Sequence, residues 1–454
     1  MLRYLAIALW TLCSLALPAR AGEAPLRLAI FQADVTPPLG TPLCDALVQP
    51  AREIVDPLSA RGIVLLSGEK PIVLCAVDWV GIGNSGYDAF RDALARAAGT
   101  TRERVAVHCL HQHDAPGCDF LADEVLKPHG LGGKLFDPVF ARKAIERVAD
   151  AVSAAVKKPV TVTHVGVGKA KVEQVASNRR VPGPDGKVKY VRYSATRDPK
   201  IRAEPEGLID PYVHLLSFWD GERPLVSITY YATHPQSYYG KGGVSCDFPG
   251  LARGLREKAM PGTFHVHFNG AGGNVTAGKY NDGSPENRPV LAGRLAKGMQ
   301  EAFAAVKKTP IKASDVAWRV TGAALPLSKL YQVKELEARV ADEKLKDPDR
   351  LRAARNLVWA RRCVAGEKID ISCLRVGPAY VLHLPGELFI EYQLAAQKMR
   401  PQSPVLMAAY GDYGPGYIGT AIAYTQGGYE TGPVSRVGPG VEEALMRALR
   451  ELLK

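Results

Sequence analysis

The sequence contains no Cys-x-x-Cys pair, which leaves a cysteine zinc site and thioredoxin-like redox chemistry without support. It contains no His-Glu-x-x-His, which removes the zincin proteases, and its one glycine-rich loop lacks the Lys-Ser/Thr end of a nucleotide-binding Walker loop. No Ser-His-Asp ordering is apparent. Beyond residue 22 no stretch approaches the roughly 18 uncharged apolar residues of a membrane helix. No Ser/Gly-rich linker, low-complexity tract or internal repeat divides the chain. The formal net charge of +12 is spread along the chain with acids between the basic residues. Without an aromatic-basic recognition motif, nucleic acid is not an expected partner. Attraction to an anionic surface, including a membrane surface, is permitted by the charge but not demanded by it.

What is present begins with an export signal. Arg3 is followed by an apolar run over 4–17 and by Ala19-Arg20-Ala21, so cleavage is expected near Ala21, delivering the chain to the periplasm or the exterior. Cys13 would leave with the signal, and the eight cysteines would become an odd number, with at least one free thiol. Cys363 and Cys373 bracket a polar stretch and are the best candidate pair for a disulfide. After the signal, apolar runs alternate with amphipathic segments, the pattern of a mixed α/β fold with a sheet-centred core flanked by helices. Strands are expected at 26–34, 62–66, 71–80, 105–110, 160–167, 225–231, 264–268, 379–384 and 405–409. Helices are expected at 87–98, 138–156, 249–258, 289–306 and 441–453, with a long charged helix over 333–362 kinked at Pro348. Residues 22–454 read as one large domain, with a subdivision, if any, near 320.

Four strands end in residues able to bind a ligand. His111-Gln-His113-Asp-Ala-Pro-Gly117 follows the first, and histidines two apart on an extended chain face the same way and can supply zinc nitrogens. Two hydrogen-bonded structural histidines would look the same. His234 follows the strand at 225–231, and Pro235 holds it in extended geometry. A lone histidine there is more often structural. The strand at 264–268 runs into Asn269-Gly-Ala-Gly-Gly-Asn-Val-Thr276, whose glycines allow close backbone approach and would leave amides free for an oxyanion. Glu387, after Pro385-Gly386, would open a helix, where it either serves the helix dipole or offers an oxygen to a metal. Polar residues at the carboxyl ends of several strands are the usual makings of a site in an α/β protein.

Taken together these features resemble the neutral, or non-lysosomal, ceramidase family from residue 29 to about 432. Ala33-Asp-Val-Thr-Pro-Pro38, Asp56-Pro-Leu-Ser-Ala-Arg61 and Val77-Asp78 carry the early part of the resemblance. His111 to Gly117 is similar to the family's His-Thr-His-x-x-Pro-Gly, with Gln112 in place of threonine. Tyr417-Ile-Gly-Thr420, Tyr424 and Gly428-Tyr429-Glu430 resemble its C-terminal tyrosine motifs. The resemblance implies a Zn2+ ion held by His111, His234, Glu387 and Tyr417. It implies catalytic or substrate-facing roles for His113, Arg179, which lies in a matching Asn178-Arg179 pair, Tyr429 and Thr276. Buried tyrosines that need only a hydrogen-bond partner are the plainer reading of Tyr417 and Tyr429.

Two departures bear on substrate. Gly273-Asn-Val-Thr276 stands where the family has Gly-Asp-Val-Ser, and the family's Gly-Asp-Asn-Lys-Gly stretch appears only as Cys246-Asp-Phe-Pro-Gly250. The family's long members also append a C-terminal sandwich domain, which this sequence does not reach. The expectation is an exported zinc-dependent hydrolase of an N-acyl amide with a small-molecule or lipid substrate, and the two departures speak against ceramide as the physiological one. A zinc hydrolase of another N-acyl compound or an ester is the alternative enzyme. A ceramidase-like binding protein without turnover is the alternative outside enzymes.

Overall fold

The computed structural model describes residues 25–454; the expected export signal lies outside them. Its fold is mixed α/β, as the alternation of apolar runs implies. It is built on three main sheets rather than one, and their wiring is the same. The first sheet joins Leu26–Asp34, Ser59–Leu66 and Ile72–Val77 in antiparallel succession and adds Val105–Cys109 parallel to the third strand. The second repeats this with His164–Lys171, Tyr212–Asp220, Arg223–Tyr231 and the parallel Phe264–Asn269. The third does so again with Val316–Ala323, Ile369–Val376, Ala379–His383 and the parallel Val405–Ala408. A parallel neighbour needs a crossover. The helices Asn84–Ala98, Asp247–Ala259 and Ile390–Met399 supply it in the three sheets. The chain thus contains a threefold structural repeat that its sequence conceals.

Strand alternation explains how the sheets assemble. In Ile72–Val77, Ile72, Leu74 and Ala76 enter one apolar cluster, and Val73, Cys75 and Val77 enter another. The first cluster also takes Leu26 and Leu28, Ile228 and Phe268, and Val381 and Leu406, one set from each sheet. The second takes the opposite faces together with helix residues such as Phe90, Leu94 and Ile145. Each sheet is therefore apolar on both faces, packed against its sisters on one and against helices on the other. Val316 and Leu374 share the inter-sheet cluster with Leu26 and Phe268.

Three expectations need correction. The apolar run at 160–167 divides into Val160–Val162, which edges the first sheet, and His164–Lys171, which belongs to the second, and Thr163 marks the change of sheet. The charged stretch at 333–362 is two helices, Val333–Ala341 and Asp347–Val364, because Pro348 sits in the first turn of the second helix, where its missing N–H is no loss. Cys363 and Cys373 are free thiols, each pushed up to about 12 by burial. The stretch between them is an ordinary helix end: Gly366, at φ 72°, donates to Cys363 O at 3.1 Å, and Glu367 donates to Arg362 O at 3.1 Å. Among the described residues no helix is long and apolar enough to cross a membrane.

The helix Ile390–Met399 is fastened to the second sheet by one carboxylate. Asp210 accepts from His214 Nε2 at 2.9 Å and from Gln393 and Gln397 at 2.8 Å each. Burial alone would raise its carboxyl, but His214 and the two glutamines hold it down to about 2. A depressed acid stabilises the fold above its unfolded pKa of about 4 and loses that contribution as pH falls toward 2. Asp210→Ala should therefore cost about 1–3 kcal/mol at pH 7. Urea melts at pH 7 and pH 3 should show the difference from wild type shrinking at the lower pH.

Candidate metal centre

His111 leaves the first sheet just past Cys109 in the left-handed region, at φ 68°. That conformation costs a non-glycine residue about 1–3 kcal/mol and persists only where the surroundings fix it. Its amide donates to Trp79 O at 2.9 Å and its ring Nδ1 donates to Val80 O at 2.5 Å. His234, past Tyr231 in the second sheet, donates from Nδ1 to Gly272 O at 2.7 Å. A carbonyl can only accept, so both Nδ1 atoms carry the proton and both Nε2 atoms present a lone pair. Glu387 Oε2 lies 3.3 Å from His111 Nε2 and 3.0 Å from His234 Nε2. All three side chains are buried, and their ligand atoms lie within 4.8 Å of one another.

Three hydrogen-bond acceptors thus converge with no donor among them. The alternative, an imidazolium, is opposed at His234 by burial, which lowers its pKa. A cation satisfies all three at once, and the outward anchoring of each imidazole to a backbone carbonyl is the usual support of a metal-binding histidine. The residues therefore fit a metal ion.

Tyr417 and Glu387 are paired in a two-residue parallel ladder, Glu387–Leu388 against Tyr417–Ile418, which delivers both side chains to the same place. Glu387 therefore precedes the helix starting at Ile390 rather than opening it. Tyr417 hydroxyl lies 3.1 Å from His234 Nε2 and accepts from Arg179 at 2.9 Å. The Arg179 guanidinium lies 5.4 to 5.9 Å from the ring centres of Tyr429, Tyr417 and Tyr193. Glu430, wholly buried, pairs with Arg179 at 3.2 Å and with Arg180 at 3.0 Å. His113 stands with its ring 5.4 Å from that of His111 and edge-on to Tyr239 at 4.6 Å. Its buried Nδ1 has no hydrogen-bond partner, and burial pushes its pKa well down. Tyr193, Tyr239 and Tyr429 are 52%, 42% and 41% exposed, so these rings, unlike the buried Tyr417, are open to solvent.

Thr276 is buried in the short pairing of Val275–Thr276 with Ser177–Asn178, the strand that leads into Arg179. Its hydroxyl donates to Tyr193 O at 3.1 Å and accepts from Gly278 N at 3.1 Å. The glycine loop behaves differently from expectation. Gly270, Ala271, Gly273 and Val275 spend their amides on Tyr231 O, Gln393 Oε1, Leu388 O and Gly272 O, so these are not open to an oxyanion. Its glycines instead admit neighbouring backbone: a Cβ on Gly272 would stand 2.8 Å from the Thr233 carbonyl carbon, and one on Gly273 would strike Glu387 O. The loop joins the two strand ends that carry His234 and Glu387.

Sequence reasoning missed Tyr410 and Tyr413, and it gave Glu430 a place in a motif but no role. Tyr410 follows the fourth strand of the third sheet as His111 follows that of the first, also left-handed at φ 61°, and its ring stacks on His111 at 4.7 Å. Only the repeat, invisible in the sequence, would have pointed to it.

A buried two-histidine, one-carboxylate centre at the strand ends of a three-sheet α/β core defines the class of this protein. No family model matches the sequence, and no curated protein matches it. Among solved structures, the neutral ceramidase from Pseudomonas aeruginosa superposes with a TM-score of 0.69 at 17% identity, covering 95% of this chain and 74% of that one. A ceramidase complexed with C2 does so with a TM-score of 0.67 at 17% identity, covering 95% and 75%. The chain has the neutral ceramidase fold.

His111→Ala and His234→Ala should each abolish metal retention through gel filtration, because each removes one of few protein ligands. Elemental analysis of the folded variants checks this, and full occupancy in either variant would remove that histidine from the ligand set.

Proposed function

We propose that the protein is an exported zinc-dependent hydrolase that cleaves an N-acyl amide bond. The observation that carries this reading is the convergence of His111 Nε2, His234 Nε2 and Glu387 Oε2 as three acceptors, beside Arg179 and the unpartnered His113. Two imidazole nitrogens, a carboxylate oxygen and the phenol oxygen of Tyr417 make a donor set suited to zinc. Such an ion, when bound, supplies Lewis acidity that polarises a carbonyl and acidifies water to a pKa of about 7. The remaining work belongs to the chain. Arg179, preset by Glu430 and Tyr417, faces the charge that develops on the amide oxygen as its carbon becomes tetrahedral. His113, kept neutral by burial, takes a proton from the attacking water and passes it to the departing amine as the C–N bond breaks. Tyr429 and Tyr239 wall the approach, and Thr276 fixes Tyr193 beside them. The ceramidase fold supports an N-acyl substrate with a lipid part, and the rim of partly exposed tyrosines is compatible with it. An ester of similar shape would meet the same groups.

A screen of N-acyl amides with zinc-loaded protein tests the activity, and zinc retention without hydrolysis of any of them would favour a binding protein. His113→Ala should keep its zinc and lose about 100- to 10,000-fold in kcat, the usual scale for a positioned acid or base. Thr276→Ser keeps the hydroxyl and should retain turnover, whereas Thr276→Ala should impair it at unchanged zinc content. Unchanged kcat and KM in Thr276→Ala would take this residue out of the site. Export is tested separately by intact mass, which should begin at Gly22.

A further inference from the structure

A carboxylate has two oxygens, and Glu387 offers only one to the two histidines. Oε2 stands between their Nε2 atoms, while Oε1 accepts from the hydroxyl of Tyr413 at 2.9 Å. The Tyr413 ring is itself confined. A Cβ at position 81 would lie 2.5 Å from its Cδ1, so only glycine fits there. Its amide donates to Ile82 O at 3.0 Å, and Arg436 donates to its carbonyl at 3.3 Å. The Arg355 guanidinium lies 5.4 Å from the ring centre and pairs with Asp45 at 2.7 Å. Asp45 reaches Arg355 from an unusual turn, Cys44–Ala46, in which three successive non-glycine residues are left-handed at φ 49°, 54° and 61°. Such residues cost about 1–3 kcal/mol each and mark a place where the surroundings dictate geometry.

We propose that Tyr413 is a positioning residue of the metal centre, whose hydroxyl holds Glu387 in a rotation that presents Oε2 alone, so that the carboxylate binds the ion through one oxygen. The inference rests on the metal reading above. A phenylalanine would fill the same space, pack on Arg355 and satisfy Gly81, so the hydroxyl has no packing task that the ring lacks. Among the described residues the acceptor of its hydrogen bond is Glu387. Asp45, Arg355 and Gly81 then serve the centre at one remove, by fixing the ring from which the hydroxyl extends.

The test compares wild-type and Tyr413→Phe full-length protein, stripped of metal and titrated with Zn2+ against a chromogenic chelator. Loss of a hydrogen bond that orients a metal ligand should weaken zinc binding about 10- to 100-fold. Equal affinity in the two proteins would overturn the inference and leave the metal reading standing. A wild-type protein that binds no zinc would overturn both. A second measurement is spectroscopic: the infrared difference spectrum of zinc-loaded minus stripped wild type should show the widely split carboxylate bands of a one-oxygen ligand. A narrow splitting assigned to Glu387 by its loss in Glu387→Gln would mean that both oxygens bind, and Tyr413 would have no such role.

Discussion

Everything in this structure that bears on function follows from placing three hydrogen-bond acceptors against one another in a buried space. A carboxylate oxygen 3.3 and 3.0 Å from two imidazole lone pairs is repelled by both unless a positive charge joins them. The fold spends considerable order on keeping them there. Each imidazole is turned by a backbone carbonyl behind it, one of them on a left-handed residue, and the carboxylate is turned by a phenol. Of the three, His111 Nε2 and Glu387 Oε2 meet no hydrogen-bond donor, which is unusual for buried polar atoms and is relieved by a cation.

The threefold repeat explains how residues 276 positions apart in the chain can meet. Each sheet ends its third and fourth strands at the junction where all three sheets touch. Cys109 N donates to Tyr410 O and Ala409 N donates to Asn269 O, both at 2.9 Å, and Asn269 Nδ2 donates to Leu110 O. These bonds tie the three fourth strands together directly beneath the centre. His111 comes from the fourth strand of the first sheet, His234 and Glu387 from the third strands of the other two. The apolar cluster shared by all three sheets is consequently as much a part of the site as the two histidines and the glutamate, since it holds the strand ends in register.

Much of this was legible in the sequence. Strands such as 26–34 are apolar on both faces and bounded by turns, and the histidines stand just past their ends, so both strand and ligand could be read locally. The resemblance to ceramidases, carried by a few motifs, placed Tyr417, Arg179 and Tyr429 near the histidines, and the structure brings them there. What could not be read is whatever depends on a partner distant in sequence. The Tyr212–Asp220, Val316–Ala323 and Ile369–Val376 strands carry polar residues amid their apolar ones and escaped notice. Tyr413 and Glu430 look like loop residues until Glu387 and the two arginines are seen beside them. The glycine loop was misjudged for the same reason, because its amides find acceptors on strands more than a hundred residues away, such as Leu388 O for Gly273. Proline and glycine effects close in sequence also decided details, as at Pro348 and Gly366.

The proposed zinc centre of His111, His234 and Glu387 contains no sulfur. X-ray absorption at the zinc edge on the purified protein tests it most directly. Imidazole and oxygen scatterers are expected at about 2.0–2.2 Å, with two histidines contributing their outer-ring signature. Sulfur scattering at about 2.3 Å, or a protein that carries no metal after zinc loading, would contradict it.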